Sequence, residues 1–313
     1  MGAVSELTEI VRKEAGTVIV GQRDVIDQCL VTILAGGHAL IEGVPGLAKT
    51  LAIKTFAAMM HFKFQRVQAT PDLMPADITG TNVLNLQTNT FALHHGPIFT
   101  DLLLVDEINR MPPRTQAALL ESMEERQVTI DGKRHPLPDW FTVFATQNPL
   151  EFEGTYPLPE AQLDRFLLKI EVAYPSAEDE TQILALYQTG SAGQSMPQVN
   201  LLPTELLQAA RTEVRDVKVE PALLGYVTRL ARKSREHPAI NLGASPRAAL
   251  NLLYVAKVYA AIEARDYLIP DDVKQAVLPV MRHRVVLKPE AALEGVTPNQ
   301  AITEVVKSVD IPR

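Results

Sequence analysis

The sequence predicts an α/β fold, a parallel sheet flanked by helices, followed by a smaller all-helical domain. Two patterns point to it. Through the first ~175 residues, short apolar runs alternate with stretches of helical spacing. Beyond Tyr174-Pro175 the apolar spacing is helical throughout. The 313 residues exceed the ~150 of an average domain. The expected division is an α/β core at 1–187, a linker at 188–199 and a helical lid domain at 200–313.

Strands are expected at residues 38–41, 64–67, 102–105, 141–145 and 166–170. Residues 102–105 and 141–145 are almost continuously apolar, as strands covered on both faces tend to be. Helices fall between them at 51–60 and 114–125. Ser176-Ala177-Glu178-Asp179 opens a further helix, through Tyr187, with a capping box. Residues 189–200 are small, polar and aperiodic and read as a loop. In the second domain, helices are expected at 204–214, 221–235, 246–265 and 271–280. Ser245-Pro246 supplies an N-cap followed by proline at the first helical position.

Hydrophobic residues at 46% and charged residues at 21% exclude a disordered or low-complexity chain. The longest apolar stretch, residues 30–41, is interrupted by Thr32, Gly36, Gly37 and His38, so no membrane span is expected. The N-terminus lacks a basic segment followed by an apolar core, and the single cysteine, Cys29, has no internal disulfide partner. Both features fit a cytoplasmic setting. The net charge of −7 is uneven: residues 1–199 hold 14 Lys and Arg against 24 Asp and Glu, the remainder 16 against 13. An acidic first part speaks against a large duplex-DNA footprint, where Lys and Arg must meet phosphates.

Gly43-Val44-Pro45-Gly46-Leu47-Ala48-Lys49-Thr50 lies between the strand at 38–41 and the helix beginning at Leu51. In that setting successive backbone N–H groups and the positive helix end face an anion. Lys49 then reaches the β- and γ-phosphates of ATP, and Thr50 ligates Mg²⁺. Ala48 stands where the general pattern has glycine, which is workable if its backbone is right-handed helical. The second element is Leu102-Leu103-Leu104-Val105-Asp106-Glu107. A buried strand presents its C-terminal end beside the phosphate loop, where Asp106 can hold Mg²⁺ and Glu107 can orient or deprotonate a water molecule. A solvated strand-to-helix corner is the competing reading of such a pair, and the apolar lead-in favours the metal.

With these elements in place, the sequence resembles the MoxR family of AAA+ ATPases over nearly its whole length. The motifs, in order, are Val20-Gly21-Gln22, the phosphate loop from Glu42 to Thr50, Gly96-Pro97-Ile98-Phe99, Asp106-Glu107-Ile108-Asn109-Arg110, Ala145-Thr146-Gln147-Asn148-Pro149, Leu158-Pro159-Glu160-Ala161-Gln162-Leu163-Asp164-Arg165-Phe166 and Ser245-Pro246-Arg247. The resemblance implies that alanine before the loop lysine is ordinary. It implies that Asn148 is the sensor-1 residue, touching the γ-phosphate or aligning the attacking water, and that Arg165 is an arginine finger inserted into the neighbouring subunit. A surface salt bridge with Asp164 or Glu160 is the alternative for Arg165. Arg247 resembles sensor 2, coupling the lid to nucleotide; an exposed helix arginine competes. Val20 and Gly21 would line the adenine side, with a simple helix-entry turn as an almost equal reading.

Two hairpins resemble the insertions of this branch: residues 82–95, turning at Gln87-Thr88-Asn89-Thr90, and 127–138, turning at Asp131-Gly132. The first contains no Lys or Arg, which lowers a nucleic-acid track. The leading expectation is a ring-forming ATP-hydrolysing motor, a hexamer by resemblance, acting on protein clients with a von Willebrand A domain partner. A nucleotide-dependent binding switch and a nucleic-acid translocase are the alternatives.

Overall fold

The computed structural model describes residues 2–87, 89–148, 154–188 and 199–312. Thr88 of the first hairpin turn, Pro149 of the Asn148 motif and residues 189–198 of the expected linker lie outside the described residues.

Helices α1 (Ala3–Gly16) and α2 (Arg23–Leu34) precede strand β1 (Ala39–Glu42). Next come α3 (Lys49–Met59), β2 (Phe64–Gln68), α4 (Pro75–Thr79), the hairpin β3 (Gly80–Asn85) and β4 (Thr90–His95), β5 (Leu102–Asp106) and α5 (Pro113–Glu125). A second hairpin, β6 (Gln127–Ile130) and β7 (Lys133–Pro136), leads to β8 (Thr142–Gln147), α6 (Glu160–Leu163), β9 (Leu168–Glu171) and α7 (Ala177–Gln188). The remainder holds α8 (Thr204–Asp216), α9 (Pro221–Glu236), β10 (Ile240–Leu242), α10 (Pro246–Ile262), α11 (Pro270–Met281), β11 (Val286–Leu287), α12 (Pro289–Leu293) and α13 (Pro298–Ser308).

The five expected strands form one parallel sheet in the order β2-β5-β8-β1-β9. Side-chain alternation explains why the first four residues of β5 are all apolar: Leu102 and Leu104 join the apolar cluster on one face, and Leu103 and Val105 the cluster on the other. The first cluster includes Val4, Leu7 and Val11 of α1 and continues into α8 and α10. The second takes Leu119, Leu120 and Met123 of α5. Both hairpins pair as expected. Asp131 (φ 47°) and Gly132 (φ 77°) both adopt positive φ, the demand of a two-residue type I′ turn.

The second domain is not entirely helical. β10 and β11 form a short antiparallel ribbon, too brief at three and two residues to show any period in the sequence. Ser245 does cap α10, accepting from Ala248 N–H at 3.1 Å. Arg284, buried, ties this part to the core. Its Nε donates to Asp164 Oδ1 (2.7 Å) and an Nη to Leu167 O (3.2 Å). Burial pulls its pKa down to about 10 against the opposing pull of Asp164.

His38 gives the fold an acid sensitivity. Val143 N–H donates to its Nδ1 (2.9 Å), so Nε2 carries the proton and donates to Met123 O (3.1 Å), leaving a satisfied neutral ring. Burial, helped by nearby Arg126, holds its pKa down at about 3. The unfolded chain takes up this proton as pH falls through ~6.5, and the folded chain does not until about 3. Stability is therefore full above that window and falls across it by about 1.4 kcal/mol per pH unit, or about 2 kcal/mol at pH ~5. Urea unfolding near pH 7.5 and near pH 5, in wild type and His38→Gln, measures this. An equal loss in both proteins assigns it elsewhere.

Candidate functional site

Beyond β1 the chain turns at Gly43, where a Cβ would stand 2.9 Å from Val172 O at the end of β9. Gly46 follows at φ +86°, open to its surroundings. Ala48 corrects the expectation of a right-handed backbone: it sits at φ 54°, ψ 20°, in the left-handed region, as the N-cap of α3. The helix consequently starts at Lys49 rather than Leu51, so Lys49, Thr50 and Leu51 form its first turn and their N–H groups look out of the helix end. That turn contains no acidic residue, leaving the positive end uncompensated. Lys49 Nζ donates to Gly43 O at 2.5 Å, so the ammonium reaches across the loop. Val44 and Pro45 lie in the same loop, and Leu47 is buried beneath it.

The left-handed alanine implies a stability test. An alanine there is strained by roughly 1–2 kcal/mol, partly offset by the larger unfolded-state entropy of glycine. Ala48→Gly is expected to gain about 1 kcal/mol in thermal unfolding and to keep its nucleotide affinity. A lower melting temperature would show that the loop is not strained.

The turn holding Val20 and Gly21 abuts this loop. Buried Gln22 donates from Nε2 to Leu47 O (3.3 Å). Gly21, at φ +72°, lies so close to Asp179 of α7 that a Cβ would meet its carboxylate at 2.4 Å.

β5 delivers Asp106 and Glu107 to the same end of the sheet. Asp106 is buried; its Oδ2 accepts from Arg66 Nε (2.6 Å) and its Oδ1 from the Thr146 hydroxyl (3.2 Å). Glu107 adopts a left-handed backbone (φ 57°, ψ 50°) and donates its N–H to Thr146 Oγ1 (2.9 Å). The Glu107 carboxylate is held by Gln68 Nε2 and Arg110 Nη1, both at 3.0 Å from Oε2. β8 runs between β1 and β5, so buried Asn148, just past its end, stands between the phosphate loop and Asp106-Glu107.

Arg165 and Arg247 lie elsewhere. Arg165 precedes β9, at the N-terminal edge of the sheet: Leu167 N–H donates to His38 O, just before β1. Its Nε pairs with Glu124 of α5 at 3.2 Å, and Arg247 pairs with the other oxygen of the same carboxylate. Asp164, the expected alternative partner, is occupied by Arg284 and the Ser245 hydroxyl. A strand of four to six residues, about 13–20 Å long, separates this edge from the phosphate loop.

Residues 38–168 match the ATPase family associated with various cellular activities (AAA), and residues 232–305 match the AAA lid domain. The chain is 42% identical to chaperone MoxR1 of Mycobacterium tuberculosis, over 96% of its own length and 81% of the relative's. The chain belongs to the MoxR family of AAA+ ATPases. It is equally identical (42%) to the uncharacterised protein YeaC of Bacillus subtilis, covering 94% of this chain and 92% of that one. A crystal structure of a Cytophaga hutchinsonii protein, described as a candidate ATPase, superposes with a TM-score of 0.90 at 39% identity, covering 99% and 96% of the two chains.

Within this MoxR-family architecture, three side chains of the site carried no role in the sequence reading. Thr146 bridges Asp106 and Glu107, while Arg66 and Gln68 hold their carboxylates from β2. The available signal was the spacing of Arg66 and Gln68, two apart and so on one face of a strand. Their partners, some forty residues later, appear only through the register that sets Gln68 opposite Asp106.

Proposed function

We propose that this chain assembles with copies of itself into a ring, a hexamer, which hydrolyses ATP with Mg²⁺ in the cytoplasm. The cycle would remodel or mature protein partners, a von Willebrand A domain protein among them. The division of the site supports this reading best: binding and hydrolysis residues lie at one end of the sheet, and two arginines share Glu124 at the other. Head-to-tail packing around a ring brings one chain's first end to its neighbour's second. The word chaperone in the name of the mycobacterial relative agrees with a protein client. The first hairpin agrees too, exposing Leu86 and Phe91 (85% and 72%) without Lys or Arg in residues 82–95. Among the described residues no helix is long and apolar enough to cross a membrane.

The residues present fit ATP and Mg²⁺. The open, glycine-turned loop at a helix N-terminus without acids is an anion cradle, and the Thr50 hydroxyl with the Asp106 carboxylate is a hard-oxygen donor pair suited to Mg²⁺. The cation, once bound, neutralises phosphate charge. Lys49 exchanges the Gly43 carbonyl for phosphate oxygens. Glu107, released by Gln68 and Arg110, accepts a proton from the attacking water, while Asn148 aligns that water. Arg165 and Arg247, released from Glu124, stabilise charge in the adjacent subunit's site. ATP hydrolysis per subunit, followed across protein concentration with Mg²⁺ present, tests the assembly: specific activity is expected to rise and then saturate. Flat, high activity in a monomer by light scattering would exclude the shared site.

A further inference from the structure

We propose that the cleft between the N-terminal edge of the sheet and helices α8 and α10 is a second anion site, built for a small ligand with clustered phosphate charge. The cleft has a volume of about 670 Å³, within the usual range for small-molecule pockets. It is lined from the core by Arg126 and Asp139, and from the helical part by Arg211, Arg215 and Lys257, with the half-exposed Tyr254 ring beside them. Arg211 and Arg215 are four apart on α8 and so share a face. The cleft stands beside Gly36, ahead of β1, and Asp139, ahead of β8, at the opposite end of the sheet from the phosphate loop.

Its four cations are only weakly countered: Asp139 acts on Arg126 and Arg211, and Asp216 on Lys257, from beyond ion-pair distance. Among the described residues none of these four has a carboxylate within 4 Å. Arg126 donates to the backbone carbonyl of Gly36, Arg211 to that of Asp139 (3.1 Å) and Lys257 to that of Arg215 (2.8 Å). Arg211 is also braced over the Trp140 ring at 4.3 Å. The other half-buried or buried arginines have partners: Arg12 with Asp27, Arg265 with Asp272, Arg282 with Glu171 and Arg284 with Asp164. Burial pushes the Arg126 and Arg211 guanidinium pKa values down, for Arg211 the neighbouring Arg126 and Arg215 add to it, and Asp139 opposes the shift at both without reversing it. Arg126, Arg211 and Lys257 are part-buried and Arg215 is exposed beside them; gathered positive charge of this kind is costly unless an anion neutralises it. Guanidinium forks match phosphate oxygens in pairs, and four cations call for more than one negative charge. A ligand here would touch core and lid together.

Isothermal titration of inorganic tripolyphosphate into the full chain tests this, using wild type, Lys49→Ala and Lys49→Ala with Arg215→Gln and Lys257→Gln. The Lys49→Ala protein is expected to retain one salt-sensitive site, weakened at least about tenfold in the triple variant, the loss of two phosphate contacts. Because Lys257 also holds a backbone carbonyl, Lys49→Ala with Arg215→Gln alone, whose replaced side chain makes no hydrogen bond among the described residues, must show a smaller loss in the same direction with an unchanged melting temperature. Competition by ADP in the Lys49→Ala protein identifies a nucleotide source, and its absence an inorganic one. No binding to Lys49→Ala at about 100 mM salt, or binding that ignores Arg215 and Lys257, overturns the proposal.

Discussion

Replacing Glu107 by Gln is expected to lower ATP hydrolysis per subunit by about 10²–10⁴-fold, the usual loss when a positioned general base is removed, while ATP still binds. The geometry separates the two effects. Lys49, Thr50 and the open helix end belong to the phosphate loop, whereas Glu107 sits on a strand end two positions away across the sheet, with its carboxylate engaged by Gln68 and Arg110. Glutamine keeps the shape and can still accept from both donors through its oxygen, but it cannot take a proton from water. Single-turnover hydrolysis beside equilibrium binding of a fluorescent ATP analogue measures both quantities. Collapse of ATP affinity would instead make Glu107 part of the metal site. If the variant binds ATP and its protein partner yet supports no maturation, turnover drives function; if it functions in full, the nucleotide state alone does.

The second large effect is Arg165→Ala, expected to reduce hydrolysis by about 10³–10⁵-fold, the range for a missing arginine finger. The same substitution should barely alter stability, because the Arg165–Glu124 pair is partly exposed and such pairs contribute at most about 1 kcal/mol. That contrast separates a finger from a structural salt bridge. In mixtures, the variant should depress wild-type activity more than in proportion to its share, since each inactive arginine silences a neighbour's otherwise intact site. Strictly proportional dilution would place the arginine in its own subunit's chemistry, contrary to its position at the far edge of the sheet. Arg247→Ala is expected to show the same mixing behaviour, because both arginines rest on one carboxylate.

Much of the site was legible because its parts are local. A phosphate loop is eight consecutive residues between a strand and a helix, and an apolar strand ending in two carboxylates is six; both keep their meaning without knowledge of distant partners. Ala48 shows the limit of that locality. Its residue type was plain, but its left-handed backbone follows from how the loop must turn to start α3 at Lys49. The capping box Thr297 to Gln300, which opens α13, was also a readable local signal, although the helix was not among those expected.

Residue order by itself determined the five strands of the parallel sheet, the glycine-turned loop after the first of them and the carboxylates that end the third, because periodicity and short motifs act over fewer than ten residues. Tertiary structure alone decided which side chains meet across the sheet: Thr146 between Asp106 and Glu107, Arg284 on Asp164, and Arg165 and Arg247 together on Glu124. It also gathered Arg126, Arg211, Arg215 and Lys257 into one cleft. The hydrogen bonds and ion pairs among them join residues 39 to 123 positions apart, and only strand order and helix docking bring such positions within reach.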